Sequence, residues 1–211
     1  MAKKRKRKRN KKIKRLAAVC SIFMVALLAV LFFLPKGNKM TINDLKNIEI
    51  PEYIDIMLIP VGTSREGIDL ESVNDIVIHY VGNPGTTAKQ NHDYFANEGT
   101  TVNAHFVIGL DGEIIQCVPI YERSSASNHR NSDTISIEVC HPDESGKFNP
   151  KTRESLIKLT AWLCDTCGLG KENIIRHYDI TGKLCPLYYS ENQDEWEKLL
   201  DDINNYIEKE F

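Results

Sequence analysis

Acidic residues are missing from residues 3 to 15, where eleven Lys and Arg stand, and charge of either sign is missing from Leu16 to Leu34. The second gap is too long for a cleaved signal peptide, whose apolar region runs about 7–15 residues. Phe32-Phe33-Leu34-Pro35 also lacks a small-residue cleavage site. At about 1.5 Å per residue such a run crosses a hydrocarbon core of about 30 Å. The expectation is a basic cytoplasmic tail over 1–15 and a transmembrane signal anchor over 16–34. Everything after Pro35 would then lie outside the cytoplasm, because basic flanks stay inside. Nucleic-acid binding by the basic run is the rival reading, but its place flush against an apolar span favours topology.

Beyond that span cations are scarce. The chain holds 27 Lys plus Arg against 29 Asp plus Glu, so setting aside the eleven leaves 16 against 29, a balance near −13. Such a surface excludes nucleic acid as a partner, since binding it requires neutralising phosphates. Cysteines stand at 20, 117, 140, 164, 167 and 185. Five lie past the span, and an odd number excludes a fully paired disulfide framework. Cys164 and Cys167 fall inside a helical pattern at i, i+3 spacing, which suits core cysteines better than redox chemistry. No internal repeat is present, and no low-complexity segment beyond the basic tail. The remainder divides into a polar linker over 35–52 and one domain over 53–211.

The domain alternates strand and helix signals, which indicates an α/β class: a central mixed sheet flanked by helices. Tyr53 to Pro60 reads as a first, edge strand. Asp75–Tyr80 (DIVIHY) and Thr134–Cys140 (TISIEVC) read as buried strands. Val102–Ile108 and Glu113–Val118 read as a hairpin around Asp111-Gly112. Thr86 or Thr87 caps a helix that Gly99 stops. Asn149-Pro150 opens another that ends before Gly168. Glu191–Lys209 keeps the apolar spacing of an amphipathic helix.

Chemistry concentrates in RHYDITGKLCP, residues 176–186, read as a loop. His177 and Cys185 stand eight apart, with Gly182 between them to let the chain fold back. His79 ends a buried strand just before Gly82-Asn83-Pro84-Gly85. Two His and one Cys form a ligand set suited to zinc, with a fourth position left for water. Glu138 lies on the strand face opposite Ile135, Ile137 and Val139. If both faces are covered it is a buried carboxylate that requires a partner. Lys183 stands two residues before Cys185. Two rivals remain: a structural zinc site, which usually has four protein ligands, and a cysteine nucleophile at Cys185 with His177 as base. Against the nucleophile stand Pro186 and the expectation that no helix begins until about Glu191.

Four segments, IVIHYVGNPG, HFVIGLDGEIIQCVP, TISIEVCHPD and RHYDITGKLCP, resemble in order and spacing the zinc-dependent N-acetylmuramoyl-L-alanine amidases of the type 2 family. The resemblance covers roughly residues 54–190. It implies zinc held by His79, His177 and Cys185, with Glu138 as general base and Lys183 stabilising the oxyanion. The family's alternative catalytic tyrosine has no counterpart here, since Ala104 stands in its place. His129 and Asn128, in Ser127–Asn131, match a site-lining polar loop and are expected substrate contacts. His105 and His141 are expected to make structural hydrogen bonds, and His92 to lie on a polar helix face. The implied substrate is peptidoglycan, cut by a membrane-anchored monomer that faces the cell wall. A non-catalytic peptidoglycan-binding module of the same fold is the alternative. Such relatives typically lack a zinc ligand, whereas all three positions are filled here.

Overall fold

A computed structural model describes residues 40–211. The basic tail, the predicted span and residues 35–39 of the predicted linker lie outside the described residues. Among the described residues, no helix is long and apolar enough to cross a membrane.

Six strands form one mixed sheet: β1 (Ile54–Ile56), β2 (Asp75–Tyr80), β3 (Phe106–Ile108), β4 (Ile114–Gln116), β5 (Thr134–Val139) and β6 (Ile174–Arg176). Their spatial order is β1-β4-β3-β5-β2-β6. β3 and β4 pair antiparallel and every other neighbour pairs parallel. The helices are α1 (Ile42–Leu45), α2 (Ala88–Ala96), α3 (Pro150–Cys167), α4 (His177–Thr181), α5 (Leu187–Glu191) and α6 (Gln193–Glu210).

Side-chain alternation sorts the strands into two apolar layers. Ile135, Ile137 and Val139 join Ile76, Ile78 and Phe106 against Leu159 and Leu163 of α3 and Leu199 and Ile203 of α6. Val107, Ile115, Cys117 and Cys140 pack with Ala88 and Phe95 of α2 on the other side. Each fully buried Ile or Leu contributes roughly 1.5–3 kcal/mol, and both layers lock β5 in the middle of the sheet.

The helix boundaries follow their caps. Thr87 accepts from Gln90 N at 3.2 Å to start α2. Asn149 accepts from Thr152 N at 3.0 Å ahead of Pro150, and Gly168, with φ of +65°, ends α3. All five described cysteines are buried and none forms a disulfide, which fits Cys164 and Cys167 as core residues.

Four expectations need correction. The hairpin strands are three residues each, and ahead of Phe106 the side chains of Asn103 and His105 bond to backbone. Asn103 Nδ2 donates to Ser64 O at 2.6 Å, and His105 Nδ1 accepts from Ser136 N at 2.9 Å. His92 is buried, not on a polar face, and its Nε2 lies 2.8 Å from Met57 O. Residues 177–181 are helical, not loop. Finally, a helix starts at Leu187, earlier than Glu191, directly after Pro186.

Candidate metal centre

β2, β5 and β6 lie side by side and parallel, so their C-terminal ends open on one edge of the sheet, where α/β folds place their sites. His79 stands in register with Glu138, and Ile78 with Arg176, so His177 follows one step past the end of β6. From His177 the chain makes a short helical turn that Gly182 ends. The glycine's φ of +76° is a conformation other residues resist. Gly182 N donates to Tyr178 O at 2.8 Å, and Tyr178 N donates to Cys185 O at 2.9 Å. This fold-back returns Cys185 to the strand ends.

One donor atom from each of His79, His177 and Cys185 lies within 4.8 Å of the others. Cys185 Sγ is 3.8 Å from His79 Nδ1, and the two imidazole centroids are 4.7 Å apart. All three residues are buried. Glu138 Oε1 lies 4.0 Å from His79 Nδ1, and 18% of the Glu138 side chain remains open. The expectation of a fully buried carboxylate is therefore met only at one atom: Oε2 is buried with no hydrogen-bond partner, as is His79 Nε2. Buried polar atoms without partners are costly, and here they cluster around a nitrogen, nitrogen, sulfur donor set of the kind zinc takes.

The electrostatics agree with a site built for a cation. Burial lowers the His79 and His177 pKa values, and Lys183 adds to the effect at both; neutral imidazoles are the form that ligates. Burial raises Glu138 to about 8, opposed by Lys183. Burial and then the Glu138 charge push the Cys185 thiol up to about 12. A bound cation reverses that last pair of shifts by favouring thiolate and carboxylate. The residues present fit a zinc ion.

These groups line a cleft of about 1130 Å³, together with Asn128, Tyr94 and the exposed Lys183. His129 is exposed and lines an adjoining hollow of about 290 Å³ rather than this cleft. Asn128 reaches the centre itself, with Oδ1 2.7 Å from His177 Nε2. His105 and His141 make backbone contacts as expected, His105 Nε2 to Glu122 O at 2.8 Å and His141 Nδ1 to Asp143 O at 2.7 Å. Sequence reasoning missed Asn103, whose Oδ1 accepts from Ser125 N at 2.8 Å and ties down the cleft loop. An asparagine's preference for bonding backbone in loops was the only signal.

The case against a Cys185 nucleophile changes ground. A helix does begin just after Pro186, so the helix-start objection fails. The objection that stands is the buried thiol, held far from its reactive thiolate form.

Fold and site together define an α/β domain with a candidate three-ligand metal centre and an adjacent carboxyl group at the strand ends. The N-acetylmuramoyl-L-alanine amidase family (Amidase_2) matches residues 69–187, more than half of the chain, and the chain belongs to that family. It is 30% identical over 142 residues to the N-acetylmuramoyl-L-alanine amidase CwlL of Bacillus licheniformis, covering 58% of this chain and 38% of that protein. It is 31% identical over 154 residues to the N-acetylmuramoyl-L-alanine amidase BlyA of Bacillus subtilis (strain 168), covering 63% and 41%. The chain thus spans about two fifths of the length of these curated relatives. Among solved structures, the catalytic domain of XlyA superposes with a TM-score of 0.63 at 27% identity, covering 71% of this chain and 98% of that one. A mutant endolysin from Bacillus subtilis gives the same TM-score and identity, covering 71% and 97%.

Proposed function

We propose that the chain is a zinc-dependent hydrolase of peptidoglycan that cleaves the amide between N-acetylmuramic acid and the L-alanine of the stem peptide. The observation that carries this is the convergence of His79, His177 and Cys185 within 4.8 Å, with Glu138 Oε1 4.0 Å from His79 Nδ1. The names of the relatives supply the bond. His79, His177 and Cys185 would hold the metal, which supplies Lewis acidity and acidifies water toward a pKa of about 7. Glu138 accepts the proton of the attacking water and returns it to the departing alanine nitrogen. Lys183, on the cleft wall, offers an ammonium to the negative charge that develops on the carbonyl oxygen. Water is thereby divided across the C–N bond, giving a lactyl carboxylate and a free amine. His129 and Asn128 edge the cleft and its adjoining hollow, where glycan or peptide would extend. The N-terminal apolar run would hold a monomeric domain outside the cell membrane, facing the wall.

The test is zinc content together with release of muramoyl lactyl termini. Cys185→Ser is expected to lose both. Glu138→Gln is expected to keep zinc and lose about 10²–10⁴ in rate. Activity that survives metal removal, or a fully active Glu138→Gln, refutes the assignment. Accessibility of the domain to protease added outside intact cells tests the topology.

A further inference from the structure

Asn128 has a backbone φ of +54° and is the only non-glycine with positive φ among the described residues. That conformation is disfavoured for side chains, asparagine least among them. Here it is held from both sides. Ser127 N donates to Asn131 Oδ1 at 2.7 Å, and Arg130 Nε donates to Asp133 Oδ1 at 2.8 Å. Arg130 also pairs with Asp75, the first residue of β2, the strand that carries His79. Upstream, Ser125 N is held by Asn103. The result of this bracing is one contact: Asn128 Oδ1 at 2.7 Å from His177 Nε2.

We propose that Asn128 is a positioning residue for His177: its amide oxygen accepts the Nε2–H, which fixes the ring's orientation and leaves Nδ1 as the nitrogen with a free lone pair. A neutral imidazole has one donor and one acceptor nitrogen, so occupying one assigns the other. The hydrogen bond to the far nitrogen of a ligating histidine sets its tautomer and raises its basicity. The unusual backbone at residue 128 aims the amide at the ring, a role beyond the substrate contact expected of this loop. The inference rests on the metal reading of His79, His177 and Cys185, and the experiment below separates the two.

Two variants of the full chain in detergent decide it. Asn128→Gly removes the amide while accepting the positive φ. Asn128→Asp keeps an oxygen acceptor and cannot donate. Zinc affinity is measured by competition with a chromophoric chelator, and the His177 tautomer by imidazole nitrogen NMR on the metal-free chain. Asn128→Gly is expected to weaken zinc about 10–100-fold and to shift His177 away from the Nε2–H tautomer, with an unfolding midpoint no lower than wild type. Asn128→Asp is expected to retain both properties. Zinc affinity in Asn128→Gly within threefold of wild type, or failure of Asn128→Asp to preserve the tautomer, overturns the proposal. If wild type binds no zinc the metal reading fails, and the tautomer alone then decides: an unchanged His177 ring in Asn128→Gly overturns the role of Asn128.

Discussion

Lowering the pH should destabilise the domain through His105, a residue away from the metal centre. Its imidazole is fully buried, and both nitrogens are committed: Nδ1 accepts from Ser136 N at 2.9 Å, and Nε2 faces Glu122 O at 2.8 Å. Protonation would place a hydrogen on the accepting nitrogen and a charge at a fully buried position. Burial accordingly lowers the His105 pKa from 6.5 to about 4. Because the folded value is depressed, the stability it represents is present above pH 6.5 and is lost as pH falls toward 4, where the unfolded chain binds a proton that the folded chain refuses. A gap of about 2.5 pKa units corresponds to about 3 kcal/mol in full, of which about 2.5 kcal/mol is lost by pH 4.5. The assay is urea unfolding of wild type and His105→Gln between pH 7.5 and 4.5. Every other group is common to both proteins, so only the difference between the curves counts. The variant should be the less stable at pH 7.5, and its disadvantage should shrink by about 2.5 kcal/mol at pH 4.5. A difference that stays constant across the range refutes the reasoning.

Two further outcomes test the scaffold. Arg65 forms a paired contact with Glu122 at 2.7 Å and also donates to Ile59 O at 2.9 Å, with side chains 12% and 8% exposed. Arg65→Ala leaves a buried carboxylate unmatched and should cost about 3–5 kcal/mol in urea unfolding; a cost below about 1 kcal/mol would contradict this. Gly112→Ala should lower the thermal midpoint by an amount equivalent to about 2 kcal/mol. Its φ is +87°, and an added Cβ would sit 2.9 Å from Ser155 Oγ and 3.2 Å from Lys151 O. An unchanged midpoint would show that this turn relaxes freely.

Much of the arrangement was legible because its signals are local. DIVIHY and TISIEV are short runs rich in β-branched residues, and that pattern marks buried central strands. Asp111-Gly112 marks the hairpin, and Gly182 the fold-back that returns Cys185. What the sequence hid depends on partners distant in the chain. Nothing in α2 says that His92 faces inward, since its reason is the carbonyl of Met57. The short helices α4 and α5 lack the length to be stable alone. They stand because Arg176 grips Asp179 and the Tyr189 carbonyl, and because Tyr189 is buried against Phe148. Asn128 was singled out as a loop residue, but its contact with His177 spans 49 positions and leaves no periodic trace.

The position of β2 between β5 and β6 has a consequence for how the molecule is made. Ile76 takes its register from Ile135 on one side and Ile174 on the other, so the first of these strands to be synthesised is flanked by the last two. Parallel pairing over such separations is slow, because loop closure precedes any reward from the contact. Until residue 134 arrives, the stretch DIVIHY is an apolar strand with two bare edges, the kind of segment that invites association between chains. A chain delivered N-terminus first therefore spends its most aggregation-prone interval with His79 already in place and its companions still to come. Assembly of the metal centre coincides with the closing of the sheet, and a truncation before Cys185 leaves both unfinished.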